Sequence, residues 1–360
     1  MRIVVIGSGI VGSAVAFNLA RSGADVTVLS AHEEGPATRA SFGWINATAG
    51  NAPHYALFRM RAMAEWAALA AAFPDLPVTR EGAVVWDLAP AELRAFLEEG
   101  LARGYELSTL DRAAIRALEP ALREPPEQAL RSMAEGAAEP AASARWLRDA
   151  AVAAGAVYRR ATVTGLALRG ARIAGVATED GVIAADHVVI AAGVASPAIA
   201  AEADVSIPLR PAPGITIMTA PTARAIGSIL IAPDTELRQT MSGAFAVAGS
   251  LREGEQAREA GERLHGRLAA LLAIETPPIE DIRVADRPMP VDGHPIAGLV
   301  EGVSGLSVAV THSGVTLAPL LGRLVAEEML TGEPHPDLAA WSPSRFAVAD
   351  QERMRSPAGS

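Results

Sequence analysis

The sequence predicts an α/β fold in which a nucleotide-binding domain of the Rossmann type is interleaved with a second domain, of the α+β class and built on a mostly antiparallel sheet. Three observations carry this prediction. Strand, glycine turn, helix and strand signals follow one another in residues 1–30, a continuously apolar run lies at 186–193, and strand signals crowd residues 208–251. A continuous apolar run is typical of a parallel strand buried on both faces, whereas repeated short strand signals are typical of an antiparallel sheet.

The N-terminal stretch carries the most specific motif. A β-branched run at residues 2–6 leads into Gly-Ser-Gly-Ile-Val-Gly at 7–12, and an Ala-rich helical pattern and a second strand pattern follow. This is the G-x-G-x-x-G dinucleotide fingerprint in the strand–helix context that it requires. Gly7 allows the tight turn, Gly9 lets a pyrophosphate approach the backbone, and Gly12 lets the helix pack on the strand. The helix N-terminus offers N–H groups and partial positive charge to the phosphates.

The composition excludes several classes of function. The chain has 360 residues, 50% of them hydrophobic and 20% charged, which is a globular balance for which two domains are expected. A net charge of −10 and a pI of about 5.3 argue against partners such as nucleic acid or an anionic membrane surface. The chain contains neither cysteine nor lysine, so a thiolate metal site, a cysteine nucleophile and Schiff-base chemistry are excluded. We expect no metal site.

The apolar segments predict a cytoplasmic protein without membrane insertion. The glycine turn interrupts the N-terminal apolar run after Ile6, so the first residues do not read as a secretory signal. The best candidate for a spanning segment, residues 188–201, is too short and is broken by Gly193 and Pro197.

The end of the second strand departs from the usual dinucleotide pattern. An acidic residue there normally binds the ribose hydroxyls, whereas this chain has Ser30, with Glu33 and Glu34 just beyond it. Either one of the glutamates reaches back, or Ser30 and backbone groups bind the ribose. A serine also spares a 2′-phosphate from repulsion, so this position is compatible with NADP.

Changes of pattern along the chain place the domain boundaries. Residues 35–50 are rich in small residues and predict a functional loop, and a long helix is expected over Pro53–Phe73. A Pro-rich stretch that ends at Pro140 has a different character, and the strand Ile279–Asp286 is expected to return to the first domain. We therefore assign residues 1–75, 141–205 and 280–345 to the nucleotide-binding domain and residues 76–140 and 206–279 to the second, substrate domain.

Five segments, in this order, resemble the D-amino-acid oxidase, glycine oxidase and sarcosine oxidase superfamily of FAD enzymes. They are the glycine motif at 7–12, Ala40–Asn46, Asp186–Gly193, Arg287–Ile296 and Thr311–Pro319. The resemblance covers nearly the whole chain, and the late segment Ser342–Phe346 is similar to how many members end. The resemblance implies FAD rather than NAD as the cofactor.

The resemblance also implies roles for matching positions. The loop around Ser41 and the backbone near Val163 would hold the phosphates and adenine, and segments 293–298 and 312–316 would lie against the flavin. The N-terminus of the last helix would face the pyrimidine side of the flavin, where negative charge develops on reduction. The expected cofactor-binding residues are Gly7, Gly9, Ile10, Val11, Gly12, Ser30, Arg39, Ala40, Ser41, Trp44, Val163, Ala192, Gly193, Gly293, His312, Ser313, Gly314, Val315 and Thr316.

Three residues are expected at the substrate. Arg287 matches the family arginine that often pairs with a substrate carboxylate, for which a guanidinium provides two parallel hydrogen bonds. An alternative is that Arg287 holds its own loop by pairing with Asp286 or Asp292. Arg238, on a presumed strand of the second domain, is the alternative carboxylate clamp. His312 would contact the flavin or the substrate, or pack within its loop.

These patterns lead to a functional hypothesis. The leading interpretation is FAD-dependent oxidation of the C–N bond of a small amino acid or secondary amine, by hydride transfer to flavin N5, giving an imine that hydrolyses. The lack of cysteine excludes a cysteinyl-flavin link, so FAD is expected to be non-covalent, with a histidyl link left open. The lack of lysine removes the residue that some sarcosine oxidases use to activate oxygen.

Several alternatives stay open. The electron acceptor is oxygen or another compound, so the protein is an oxidase or a dehydrogenase. An NAD(P)-linked dehydrogenase would explain the N-terminal motif but not the C-terminal glycine–helix junction. A flavin-binding subunit of a larger amine dehydrogenase complex is a further interpretation. The expected partner is a small-molecule amine or amino acid, and homo-oligomerisation is left open.

Overall fold

A computed structural model describes residues 1–347 and divides the chain into two compact units. Unit 1 consists of Met1–Arg39, Ala141–Ala212 and the described residues from Asp286 onward, and unit 2 consists of Ala40–Pro140 and Pro213–Ala285. The sequence placed residues 40–75 in the first domain, whereas the structure groups them with unit 2. The reason is local, because the short strand Trp44–Ile45 pairs with Gly136–Ala138 of unit 2.

The strands follow in chain order. They are β1 Arg2–Ile6, β2 Asp25–Ser30, β3 Trp44–Ile45, β4 Val78–Thr79, β5 Ala83–Val85, β6 Leu107–Asp111, β7 Gln128–Ser132, β8 Gly136–Ala138, β9 Val157–Arg160, β10 Val163–Leu168, β11 Ile173–Thr178, β12 Gly181–Ala184, β13 His187–Ile190, β14 Leu209–Arg210, β15 Pro213–Thr219, β16 Ile229–Ala232, β17 Thr235–Gln239, β18 Phe245–Ser250, β19 Ile279–Asp286, β20 Met289–Pro290, β21 Ile296–Leu299 and β22 Leu306–Val310.

The helices also follow in chain order, and the long helix expected over Pro53–Phe73 spans Pro53–Ala72. They are α1 Ile10–Arg21, α2 Pro36–Arg39, α3 Pro53–Ala72, α4 Pro90–Ala102, α5 Arg112–Leu118, α6 Pro140–Ala153, α7 Ser196–Ala201, α8 Ala257–Leu271 and α9 Gly314–Thr331. Short 3₁₀ segments lie at Gly193–Ala195, Pro336–Trp341 and Pro343–Phe346. Within residues 1–347, no helix combines the length and the apolar character that crossing a bilayer demands.

Unit 1 is built on a sheet with strand order β21-β22-β13-β1-β2-β9. All neighbours are parallel except β21, which runs antiparallel to β22. Each residue of β13 is buried, as its continuous apolar pattern predicts for a strand covered on both faces. Because β1, β13 and β22 are adjacent and parallel, the turns that follow them meet at one edge of the sheet.

Unit 2 is built on a mostly antiparallel sheet with order β19-β15-β18-β17-β16-β5-β7-β6. Helix α8 belongs to the same core through Ala260, Leu264 and Leu268, all fully buried. Strand β19 was expected to return to the first domain; instead it pairs with β15 at the edge of this sheet. An antiparallel main sheet in the second unit and a parallel one in the first confirm the predicted fold class.

A buried histidine in unit 1 makes the stability depend on pH. His187 of β13 is 6% exposed, its Nε2 lies 2.9 Å from the Ser307 hydroxyl, and burial lowers its pKa from 6.5 to about 4. Between those two values the unfolded chain binds a proton that the folded chain does not, so stability is lost as the pH falls. We expect the free energy of unfolding to drop by up to about 3 kcal/mol across this window.

Urea unfolding at pH 7, 5.5 and 4.5 measures this effect. In His187→Asn the contribution of this group should disappear, so the wild-type and variant stabilities should converge as the pH falls. A difference between the two proteins that stays constant across the three pH values would contradict the assignment.

Candidate functional site

Two positions, one in the turn after β1 and one in the first turn of α1, can be occupied only by glycine. Gly7 has φ +110°, and a Cβ there would lie 2.4 Å from the carbonyl oxygen of Ala191. A Cβ on Gly12 would lie 2.1 Å from the carbonyl oxygen of Gly7, inside van der Waals contact. The structure therefore agrees with the tight turn and the close strand–helix packing that the motif predicts.

Gly9 has a different neighbour from the one that the motif suggests. A Cβ on Gly9 would lie 3.1 Å from Thr38 Oγ1 and 3.9 Å from the Gly35 Cα, so its small size admits the 35–38 segment. Thr38 Oγ1 accepts a hydrogen bond of 3.1 Å from the N–H of Ile10, the first residue of α1. Sequence reasoning missed Thr38, because a threonine in a loop of small residues gives no signal of this long-range bond.

The first turn of α1 keeps N–H groups available for an anion. Within the described part of the chain, the N–H groups of Val11 and Gly12 have no backbone partner, and Gly9 provides no side-chain cap. An α-helix leaves its first N–H groups unsatisfied, and its dipole places partial positive charge there. This end of α1 is thus suited to a phosphate group.

A second helix N-terminus lies beside the first. Helix α9 follows β22 through the turn 311–313, and a Cβ on Gly314 would lie 3.3 Å from Val11 Cγ2. Farther along, a Cβ on Gly322 would lie 2.6 Å from the backbone of Ala14, so the two helices cross in close contact. Thr311 Oγ1 is buried without a hydrogen-bond partner among the described residues. Two adjacent N-termini and an unpaired buried hydroxyl fit a ligand with phosphate and polar ring groups.

Other residues expected at the cofactor also belong to unit 1. Gly193 follows β13 with φ +58° and open space where a Cβ would stand. His312 Nδ1 lies 3.4 Å from Ser313 Oγ, and Thr316 is buried in the first turn of α9. Val163 begins β10 and pairs with Thr178 of β11 in a separate three-stranded sheet.

The end of β2 narrows the alternatives for a ribose contact. Ser30 is buried, and its Oγ accepts a long hydrogen bond of 3.4 Å from the N–H of His32. Glu34 is paired with Arg145 and so is already neutralised. The Glu33 carbonyl accepts hydrogen bonds from Ser8 Oγ and Arg148, while its exposed carboxylate has no partner within residues 1–347. Of the two glutamates, Glu33 is the one available for a ligand.

The 40–47 segment is held firmly within unit 2. Thr216 Oγ1 donates to the Ala40 carbonyl at 2.9 Å, and Ser41 Oγ accepts from the N–H of Gly43 at 3.2 Å. Trp44 Nε1 donates to Glu135 at 2.6 Å. Arg39, the last residue of α2 in unit 1, is exposed. The segment is thus fixed by hydrogen bonds within unit 2.

Glu135 is a buried carboxylate that sequence reasoning did not single out. It accepts hydrogen bonds from Trp44 Nε1 and from the Tyr105 hydroxyl. Burial raises its pKa to about 7, although these hydrogen bonds and the charge of Arg59 act in the opposite direction. A glutamate in an Ala- and Gly-rich stretch gives no signal of this environment.

Arg287 keeps most of its guanidinium available. It is exposed, and its Nε donates to the Ala212 carbonyl at 3.2 Å. In the described chain neither Asp286 nor Asp292 pairs with Arg287. Asp292 binds Arg345 instead. In the described chain the two terminal nitrogens of Arg287 have no partner, so they can bind a carboxylate.

Arg238 has a carboxylate already. Its side chain is buried, Nη1 and Nη2 lie 2.8 and 3.1 Å from the two oxygens of Glu139, and Nε donates to the Phe42 carbonyl at 2.7 Å. Burial raises the pKa of Glu139, but the hydrogen bonds and charge of Arg238 outweigh it and hold that pKa below its ordinary value. This geometry favours a structural role over the expected role of substrate clamp.

Comparisons with known proteins agree with this geometry. A family model described as DAO, FAD dependent oxidoreductase, matches residues 2–328. The chain is similar to one of the subunits of opine oxidase from Rhizobium meliloti, with 26% identity over 97% of this chain and 98% of that protein. Among solved structures, iminodiacetate oxidase from Chelativorans sp. is 25% identical, with a TM-score of 0.85 over 95% of this chain and 99% of that chain. Glycine oxidase from Geobacillus kaustophilus shares the fold at 22% identity, with a TM-score of 0.85 over 95% and 98% of the two chains.

Proposed function

The chain belongs to the DAO family of FAD dependent oxidoreductases, so FAD is its cofactor, and we propose that it oxidises the C–N bond of a small amino acid or secondary amine. Arg287 is the residue from which we infer a substrate with a carboxylate, because its side chain is exposed and its terminal nitrogens are unpaired in the described chain. A guanidinium recognises a carboxylate through two parallel hydrogen bonds. The substrates in the names of two similar proteins, an opine and iminodiacetate, support the same class.

The residues present fit FAD at the edge where α1 and α9 begin. The N–H groups of Val11 and Gly12, which have no backbone partner in the described chain, would bind the pyrophosphate. The turn 311–313 and the first residues of α9, with the unpaired Thr311 hydroxyl, would meet the flavin. We further propose that Ala40, Ser41, Trp44, Val163 and Gly293 contact the cofactor. The chain lacks cysteine, so we propose a non-covalent complex.

The chemistry follows from what each partner supplies. When bound, FAD would supply a hydride acceptor for the carbon that bears the nitrogen. The imine product would then add water and separate into a carbonyl compound and an amine. Arg287 would hold the carboxylate of the substrate and so fix the orientation of that carbon. The partial positive charge at the N-terminus of α9 would favour the negative charge that develops on the flavin on reduction. No side chain needs to remove a proton if the amine binds in its neutral form.

Replacing Arg287 by alanine tests the substrate class. Loss of a charged hydrogen bond should weaken substrate binding by about 1.5–3 kcal/mol, which raises KM by roughly tenfold to a hundredfold. Steady-state kinetics on a panel of D- and L-amino acids, proline analogues and N-methyl amines measure it. Arg169→Ala, at an exposed turn of unit 1, is the control and should leave KM unchanged. An unchanged KM in Arg287→Ala would assign this residue to the structure of its loop.

A second candidate is a flavin-binding subunit that works only within a larger assembly. The near full-length similarity to a protein whose name makes it one subunit of an opine oxidase favours this candidate. Anaerobic mixing of the isolated chain with the same panel separates the candidates. Bleaching of the flavin by an amine supports an enzyme that is active alone, whereas bound FAD that no amine bleaches supports the subunit. Reoxidation in air or only by a dye then distinguishes an oxidase from a dehydrogenase.

A further inference from the structure

The late segment Ser342–Phe346, singled out by its sequence, lies against the turn that precedes β21. Arg345 Nε lies 2.9 Å from Asp292 Oδ2, and Nη2 lies 3.4 Å from Asp292 Oδ1. The side chains are 21% and 33% exposed, so this two-oxygen pair is shielded more than a surface ion pair. Burial raises the pKa of Asp292, but the hydrogen bonds from Arg345 and from the His294 N–H, together with the nearby positive charge, hold that pKa below its ordinary value.

The guanidinium of Arg345 is bound on every nitrogen. Nη2 also donates to the His294 carbonyl at 3.3 Å, and Nη1 donates to the carbonyl oxygens of Trp341 and Ser342 at 2.7 and 3.1 Å. Its carbon lies 4.5 Å from the centre of the Phe346 ring. One side chain thus connects the two backbone stretches, and lysine could not reproduce this fork of donors.

The 342–346 segment is itself anchored, so it can act as a support. Trp341, just before it, is 3% exposed, and its ring stacks on His294 with centroids 5.4 Å apart. Phe346 packs against the hydrophobic core of unit 1. The 342–346 segment is therefore anchored to the hydrophobic core of unit 1.

The supported turn is irregular and carries proposed functional groups. Gly293 has φ +77°, and its N–H closes the turn by donating to the Pro290 carbonyl at 2.9 Å. Asp292 Oδ1 accepts the N–H of His294 at 3.0 Å, so the ion pair and the turn share one carboxylate. The turn directly precedes β21 and follows Arg287 by a few residues.

We propose that Arg345 is a positioning residue that, through Asp292 and the His294 carbonyl, holds the turn 290–295 in the shape that binds FAD. This rests on the proposed contact between Gly293 and the cofactor. Arg345 itself touches neither substrate nor cofactor in this account. It acts by fixing a glycine turn that has few internal bonds of its own.

FAD titration of the apoprotein at pH 7, followed by quenching of flavin fluorescence, tests the proposal without any turnover. Arg345→Met should raise the Kd for FAD about tenfold, the worth of one hydrogen bond to a charged group, and should shift the visible spectrum of the bound flavin. Asp292→Asn keeps the size of the side chain and an oxygen that can accept the His294 N–H, but it removes the charge that pairs with Arg345, so it should act in the same direction. The double variant should bind FAD no more weakly than Arg345→Met alone, because Asp292→Asn removes an ion pair that Arg345→Met has already removed.

Arg2→Met is the matched control. Arg2 also pairs with an aspartate, since its Nη2 lies 3.0 Å from Asp186 Oδ1 while its backbone N–H donates to Oδ2 at 2.8 Å. This pair lies at the amino end of β1 and hence at the opposite edge of the same sheet. The Kd of Arg2→Met for FAD should stay within about twofold of wild type, since an exposed pair contributes little. An equal rise in Arg2→Met, or additive effects of Arg345→Met and Asp292→Asn, would overturn the proposal.

The possible failures are distinguishable. Wild-type protein that holds FAD, together with an unchanged Kd in Arg345→Met, would overturn the role of Arg345 alone. Wild-type protein that binds no FAD would overturn the proposed function and this inference with it. If Arg345→Met does not fold, Asp292→Asn alone decides the matter by the same Kd.

Discussion

Replacing Arg238 by methionine should lower the free energy of unfolding by about 3–5 kcal/mol. The arginine is 3% exposed and makes two hydrogen bonds to Glu139 and one to the Phe42 carbonyl. Methionine fills a similar volume but leaves the Glu139 carboxylate, 21% exposed, without its counter-charge. Urea unfolding at pH 7 measures the loss, and we expect it to be among the largest for any arginine of the chain.

A second variant separates the structural role from the catalytic one. Arg238→Met combined with Glu139→Leu removes both charges and should recover a large part of the lost stability, because no unpaired charge remains. If the double variant keeps the wild-type KM, Arg238 does not bind the substrate carboxylate. Unchanged stability of Arg238→Met together with a raised KM would instead support the role of substrate clamp.

Replacing Gly7 by alanine should cost about 2–5 kcal/mol of stability and prevent retention of FAD. A φ of +110° is strained for any residue with a Cβ, at about 1–2 kcal/mol. The added Cβ would also lie 2.4 Å from the Ala191 carbonyl oxygen, and such overpacking costs about 1–3 kcal/mol. Relief of that contact must move the turn after β1 or the end of β13, and both border the N-terminus of α1.

Gly23→Ala is the matched control for this effect. Gly23 follows α1 with φ +79°, and no heavy atom lies within 4 Å of a Cβ built there. Its substitution should cost only the backbone strain, about 1–2 kcal/mol, and should leave flavin absorbance unchanged after gel filtration. Equal losses of stability and of FAD in the two variants would show that the close approach at Gly7 has no role.

The elements that the sequence predicts well are those with a strong local cause. The glycine motif specifies a turn that only glycine can form. The apolar residues of β13 are removed from water only in a strand that is covered on both faces. Gly332 ends α9 in the left-handed conformation, at the residue where the pattern of that helix stops. In contrast, the strand presumed around Arg238 exists as β17, but its sequence Thr-Glu-Leu-Arg-Gln gives no signal that its polar residues are buried. Its Arg238 and Gln239 are buried only because partners distant in sequence satisfy their hydrogen bonds.

The candidate site shows the same division. Residue types and spacing in the sequence determined the glycine turn before α1 and the second glycine–helix junction, and the family resemblance predicted that Arg287 binds a carboxylate. Only the tertiary structure decided which arginine is available, since Arg238 meets Glu139 whereas the terminal nitrogens of Arg287 meet no partner in the described chain. It also decided that Arg145 neutralises Glu34 and that Arg345 takes the carboxylate of Asp292. Turn geometry and strand burial are local properties of the chain, but the partner of a charged side chain depends on which distant residues folding brings within hydrogen-bond distance.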